Sequence, residues 1–306
     1  MSFLKQLSSL PGYLSAIGAF AFWGLIPLYW REVAEHSAFE LIGHRVLWGS
    51  LSLFLYLRLY KGISLSGLCS KVLKWSNSWL LLSSFLIAVN WFTFMYAVIQ
   101  DKVVEASLGY FLNPLINVFL GLILFKEKVG RLKWVSIGLA FTGLTVFSLG
   151  KLSSPGISLL LACTFACYGV LHKRSQLDPI EALLVETTIV AIVLMPYLIY
   201  SNSFSLSFFK SRDVAWLLSA GPVTVFPLLL FTFAVKRIPF SSVGIIQYLA
   251  PLGQFTLGVS VFGQKLEAQA VVAFGLIWLA LGLFSFGEYT MLKHQGRILD
   301  DKGSSK

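Results

Sequence analysis

Two ionisable side chains set within long apolar stretches are the first residues of this sequence that could do chemistry: Arg45 in "FELIGHRVLW" and Glu186 in "IEALLVETTI". Arg45 is the only Lys or Arg away from the ends of such a stretch, and Glu186 is the strongest candidate to take up and release a proton. Charges surrounded by hydrocarbon face a bundle interior, pair with one another, or mark a pathway. The two stretches align, Glu40 on Glu181 and Arg45 on Glu186, so the pair either meets as an ion pair or anchors a zwitterionic ligand from two sides. Each lies a few residues from the centre of its stretch, on opposite sides, so a direct pair requires the arginine to stretch. His44 reads as a protonation site or as a structural donor near a helix end.

Uncharged polar residues form a second pattern. In "YFLNPLINVFLGLILFKEK", Tyr110, Asn113 or Pro114, Asn117 and Gly121 recur every three to four residues, one face of a helix. In "QYLAPLGQFTLGVSVFGQK", Gln247, Pro251, Gln254 and Gly258 repeat the stripe. A proline at membrane depth frees a backbone carbonyl, which is tolerated where protein or a watery cavity receives it. The stripes therefore line a central substrate cavity, or the amides join helices and the prolines bend them. Asn90 and Trp91 sit together in a third stretch, where an amide needs a partner and the indole offers a flat surface with one donor. Trp23 and Tyr168 occupy matched positions, "FAFWG" and "FACYG", and either stack on a flat substrate or pack.

The elements that must hold these residues follow from composition. Of 306 residues, 57% are hydrophobic and 12% charged, and mean hydropathy is +0.78, values of a membrane protein. Ten apolar runs, most long enough to cross about 30 Å of hydrocarbon as helices, read as residues 12–30, 38–59, 79–99, 104–125, 134–149, 156–171, 180–200, 214–235, 241–262 and 271–289. The first exceeds the length of a signal-peptide core and reads as a retained span. The tail from Met291 to Lys306 is polar, carries no motif, and is expected to be flexible.

The net charge of +10 invites a nucleic-acid reading, but the basic residues are spread over connecting segments. With the N-terminus inside, 17 of the 24 Lys and Arg residues fall on the cytoplasmic side and 6 on the other, the remaining one being Arg45. That asymmetry obeys the positive-inside rule, predicts cytoplasmic termini, and leaves no basic domain for nucleic acid. Cys69, Cys163 and Cys167 make neither a disulfide frame nor a zinc site. No HExxH, GxSxG or phosphate-cradling loop occurs, so no enzyme, metal or cofactor is expected. Active transport would have to draw on an ion or substrate gradient.

The sequence also repeats itself. Shifted by 137 residues, Phe94–Gly150 aligns without a gap on Phe231–Gly287 at about 30% identity. Five spans are thus used twice, residues 1–150 and 151–290, with 291–306 as the tail. An odd number of spans turns the second unit over, giving an all-α membrane protein of ten helices in two inverted five-helix repeats with a site near the midplane. Small residues Ser136, Ala140 and Gly143 on the fifth span and Gly275 and Gly282 on the tenth permit close approach, for bundle support or a homodimer contact.

The fragments "FWGLIPLYW", "AFELIGHRVLW", "NWFTFMYAV", "EASLGYFLNPLINV", "VETT", "AGPVTVFPLLLF" and "IQYLAPLGQF" resemble the RarD branch of the EamA family, in the drug/metabolite transporter superfamily. The resemblance spans nearly the whole chain. It implies ten helices in inverted repeats, a central cavity built by the first four helices of each repeat, and a permease associated with chloramphenicol sensitivity. EamA repeats commonly end their fourth helix with Gly-Glu; here Lys126-Glu127 and Gly263-Gln264 stand there, so neither copy keeps both residues. Taken together, the residues point to an inner-membrane secondary transporter of a small polar or zwitterionic molecule. Its site is expected to draw on Arg45, Asn90, Trp91, Tyr110, Asn113, Asn117, Glu186, Gln247 and Gln254. An intramembrane enzyme acting on a lipid-linked substrate and a non-transporting scaffold are the alternatives.

Overall fold

A computed structural model describes residues 3–62, 64, 66–67, 70, 79–125, 131–150, 155–173, 178–201, 213–235, 237–238 and 246–303. They form ten long helices: α1 Phe3–Arg31, α2 Ala38–Tyr60, α3 Trp79–Ile99, α4 Val103–Phe125, α5 Arg131–Ser148, α6 Pro155–Lys173, α7 Pro179–Tyr200, α8 Val214–Val235, α9 Leu249–Ser260 and α10 Ala268–Gly303. The described residues contain no strand. α1, α3, α6, α7, α8 and α10 each carry a stretch long and apolar enough to cross a bilayer unaided. α2 includes Glu40, Arg45 and Arg58, which dilute its hydropathy. The chain is an all-helical, multi-pass membrane protein.

Each predicted span falls on one of these helices, and two differ in kind. The ninth was read as residues 241–262, yet α9 begins at Leu249, after a turn at Gln247 and Tyr248. Pro251 is the third residue of α9, where a helix has no carbonyl waiting for its missing N–H, so it begins the helix rather than breaking it. Pro114 lies inside α4, whose backbone stays helical through it. The tenth helix continues to Gly303, so most of the tail expected to be flexible extends α10 to 36 residues. That is about 54 Å of helix, more than the hydrocarbon thickness, and its end must project beyond it.

Local signals set several ends. Ser37 accepts the Glu40 amide at 3.2 Å to start α2, and Asp178 accepts the Ile180 amide at 3.0 Å with Pro179 first in α7. α3 ends with Asp101 at φ 51° and the Lys102 amide bonded to the Ala97 carbonyl at 2.6 Å, a left-handed cap that turns the chain straight into α4.

The packing partners are largely non-sequential. α5 lies along α10, α4 along α6, α1 along α9, α2 along α7 and α8, α3 along α6 and α7, α1 on α8, and α4 on α9. Exchanging each helix for the one five places away turns α4–α6 into α9–α1, α1–α8 into α6–α3 and α2–α8 into α7–α3. α2 and α7 are antiparallel: Ser37 Oγ is 2.9 Å from the Tyr197 hydroxyl at one end, and Lys61 Nζ is 2.9 Å from Asp178 at the other. Two crossings are backbone-close. A methyl group at Gly221 of α8 would overlap the Trp48 carbonyl of α2, and one at Gly253 of α9 would stand 3.0 Å from the Gly24 Cα of α1. The main apolar core, including Trp30, Leu41, Met95, Leu161, Ile180 and Leu217, is shared by α1, α2, α3, α6, α7 and α8. A second core around Phe111, Phe147 and Phe274 joins α5 and α10 to α4. The small residues of α5 therefore serve the bundle, with Gly143 against Ile277 and Ala273.

Candidate functional site

Arg45, eighth in α2, points into an aromatic box. Its guanidinium carbon lies 4.3 Å from the Trp91 ring centroid on α3 and 5.8 Å from that of Trp30 on α1. The hydroxyls of Tyr29 on α1 and Tyr110 on α4 are near enough to interact with it electrostatically. Arg45 Nε is buried without a hydrogen-bond partner, and no carboxylate pairs with Arg45 among the described residues. A guanidinium is weakly hydrated and tolerates such a box, each ring returning about 0.5–2 kcal/mol. Desolvating the ion costs several kcal/mol, so the rings alone do not satisfy it. An anionic group would.

Glu186, eighth in α7, is wholly buried and fully engaged elsewhere. Its Oε1 accepts from Ser83 Oγ of α3 at 2.5 Å and lies 2.8 Å from His172 Nε2 of α6. Its Oε2 accepts from the Tyr168 hydroxyl, also of α6, at 2.9 Å. The His172 ring lies tilted by 41° against Tyr168, 4.2 Å between centroids, and meets Trp79 edge-on at 5.2 Å. The direct Arg45–Glu186 ion pair weighed from the sequence is not formed. Gly43 of α2 opposes Leu198 of α7, which leaves Arg45 and Glu186 about 15 Å apart along the antiparallel axes at 1.5 Å per residue. Antiparallel packing separates residues that occupy the same place in their helices.

The amides divide. Asn90 is 1% exposed and its Nδ2 donates to the Leu161 carbonyl at 2.9 Å and Thr164 Oγ1 at 3.0 Å, so it joins α3 to α6. Asn113 and Gln254 are buried, each with a side-chain oxygen lacking a partner, while Gln254 Nε2 donates to the Trp23 carbonyl at 3.1 Å. Gln254 thus ties α9 to α1, and Trp23 packs on Phe20 and Phe231, at 5.3 and 6.0 Å between ring centroids. Tyr110 is half-buried between Phe94 and Phe165. Gln247 lies in the turn before α9. Asn117 and Pro114 are on α4, but their side chains lie outside the described residues, as do Lys126-Glu127 and Cys69. His44 is buried and accepts from Trp48 Nε1 at 3.1 Å.

Gln264 has a use the sequence left open. Gly263 adopts φ 63° just past α9, and Gln264 Oε1 then accepts the Val104 amide at 2.8 Å, capping the first turn of α4. A groove of about 840 Å³ between α3, α6 and α7 is bordered by Leu81, Phe85 and Val193, each about two-thirds exposed. None of the predicted site residues lines it. In a membrane-spanning helix such exposed apolar residues face hydrocarbon.

Sequence reasoning missed Ser83, His172, Trp30 and Tyr29. His172 follows Tyr168 by one helical turn, a legible spacing, but nothing local places both against Glu186. Trp30 and Tyr29 end "FWGLIPLYW", a motif noted for its resemblance and not for its rings.

Comparison with known proteins agrees with this architecture. The profile of the EamA-like transporter family matches residues 10–149 and again residues 154–286. A Pseudomonas aeruginosa protein named as an uncharacterized transporter is 35% identical, over 92% of this chain and 95% of its own. Protein RarD of Streptomyces exfoliatus is also 35% identical, over 90% of this chain and 88% of its own. A solved protein structure superposes with a TM-score of 0.59 at 19% identity, covering 89% of this chain and 96% of that one, a likeness of fold alone.

Proposed function

Because the chain belongs to the EamA-like transporter family and to its RarD branch, we propose that it is a secondary-active carrier for a small polar or zwitterionic organic molecule. That it is a membrane transporter follows from the family. The finer reading is alternating access between two inverted five-helix repeats, residues 1–150 and 151–290, in the inner membrane with both termini cytoplasmic. The double match of the family profile, the five-place exchange among helix pairs and the antiparallel α2–α7 contact support the repeat. The distribution of Lys and Arg supports the orientation.

The observation that carries the substrate reading is the Arg45 box. A buried guanidinium with a free Nε and no carboxylate partner among the described residues is suited to receive a carboxylate or another small anion. Buried polar groups without partners are rare and mark a missing water or ligand. Trp30 Nε1 and Arg45 Nε are such donors, and Asn113 Oδ1 and Gln254 Oε1 such acceptors, on α1, α2, α4 and α9. A zwitterion complements that division, its carboxylate on Arg45 and its ammonium toward the amide oxygens. Tyr110, one turn from Asn113, is near enough to the guanidinium to interact with it electrostatically, and Gln247 lies in the turn before α9.

The test is uptake into proteoliposomes of a radiolabelled mixture of free amino acids, with chloramphenicol as the drug-class probe. Wild-type protein is expected to move one of them. Arg45→Gln and Arg45→Lys should cut that flux at least tenfold, since lysine keeps the charge but loses the planar fork and the stacking. Equal flux by Arg45→Gln and wild type would overturn the assignment of Arg45.

A further inference from the structure

We infer that Glu186, His172, Tyr168 and Ser83 form a proton-carrying site, distinct from the Arg45 box, through which a proton gradient drives transport; the inference rests on the carrier reading above. Glu186 has no solvent exposure, and its two oxygens meet three donors from two other helices. None of the three is a permanent cation. The titratable and charged groups on the elements packed around it are few. α6 presents Tyr168 and His172, and α3 presents Ser83 and Trp79. α7 itself carries buried Glu181, and Asp178, which caps its N-terminus, pairs with Lys61, which caps the C-terminus of α2. Of the α2 groups, Arg45 lies over the Trp91 ring and His44 accepts from Trp48.

Charge accounting then fixes the proton number. With an ionised Glu186 and a doubly protonated His172 the cluster is neutral. With a protonated Glu186 and a neutral His172 it is neutral again. The two states differ by one proton moved along a single 2.8 Å hydrogen bond. Removing that proton leaves a net negative charge on a buried carboxylate that keeps the Tyr168 and Ser83 hydrogen bonds but has no cation paired with it among the described residues. In either neutral arrangement the Glu186–His172 pair carries one exchangeable proton.

Release requires either that water reach the site or that a cationic group arrive to replace the proton. His172 is the penultimate residue of α6 and its side chain is 19% exposed, whereas Glu186 is not exposed at all, so the imidazole at the helix end is the door and the carboxylate the store. The Tyr168 and Ser83 hydroxyls hold the carboxylate in place whichever way the proton lies. A conformational change that opens α6 against α3 and α7 hydrates the cluster and discharges it. By linkage, a substrate that favours the open form expels the proton, and protonation favours the closed form by the same factor.

Two measurements decide the matter. Infrared difference spectra of purified protein, recorded between acid and alkaline pH, should show a carboxyl C=O band that is absent from Glu186→Gln and displaced in His172→Gln and Tyr168→Phe. A Glu186→Gln spectrum identical to wild type would overturn the site. In proteoliposomes with the same amino-acid and chloramphenicol probes, Glu186→Gln and His172→Gln should each lose accumulation driven by a pH gradient at least tenfold. Gradient-driven accumulation unchanged in both Glu186→Gln and His172→Gln would overturn the coupling. If no probe moves even with wild-type protein, the carrier reading fails, and the infrared band still decides whether the cluster binds a proton. His172→Gln keeps Glu186 in place, so the spectra remain decisive if Glu186→Gln does not fold.

Discussion

Asn90 and Trp91 are neighbours in sequence with separate work. A step of one residue turns a helix by about 100°, so the Asn90 amide faces α6 while the Trp91 ring faces Arg45. The sequence presents them as one polar feature because adjacency hides that rotation. Asn90→Ala should lower stability by about 1 kcal/mol, read as a reduced thermal midpoint, and leave the substrate KM where it was. Trp91→Leu should raise KM several-fold as the ring over the guanidinium is lost, in addition to a lower midpoint from the core packing it removes. A KM effect from Asn90→Ala alone would return the amide to the substrate cavity. Glu186 was legible as a buried acid, but its partners were not: Ser83 is 103 residues away in sequence, whereas Tyr168 and His172 are 18 and 14 away on another helix.

Matched sequence does not enforce matched elements. Pro114 sits within a continuous α4, whereas Pro251 stands in the first turn of a shorter α9. What differs is the chain before each proline: α4 begins at Val103, eleven residues ahead, and α9 only two. Gln264 shows one element completing another, since its side chain caps α4 from the far end of α9. Gln264→Ala should cost about 1 kcal/mol, the usual worth of a cap, and Gln264→Glu should restore it because a carboxylate accepts the same amide. Thermal unfolding of the two variants makes the comparison. At the α2–α8 crossing, Gly221→Val should prevent close approach and sharply reduce the yield of folded protein, measured by size-exclusion of the solubilised membrane fraction.

For the molecule as a whole, antiparallel pairing decides which residues meet. α2 and α7 lie side by side with opposite directions, so their equivalent eighth residues, Arg45 and Glu186, end up in different halves of the bundle. One becomes the candidate anion site and the other the proton store. The same pairing makes a topological prediction. In a cysteine-free background, Ser37→Cys and Ser201→Cys should react with a membrane-impermeant maleimide from one side of the membrane, and Lys61→Cys from the other. Labelling of all three from one side would remove the inverted arrangement. α5 and α10 stand apart, joined to each other through Phe147 and Phe274, and contribute none of the candidate site residues.

Span positions, polar stripes and the internal repeat were all present in the sequence, because hydropathy and self-similarity are properties of each segment taken alone. The turn at Gln247 and Tyr248 and the helical continuation of α10 were less legible, since local polarity there suits either outcome. Which side chain meets which was decided only by tertiary packing. Partners more than a hundred residues apart are chosen by helix direction, rotation and depth, as when Ser83 reaches Glu186 and Trp91 reaches Arg45. None of those three quantities is carried by composition or spacing within a single helix, and a one-residue rotation or a reversal of direction reassigns every contact.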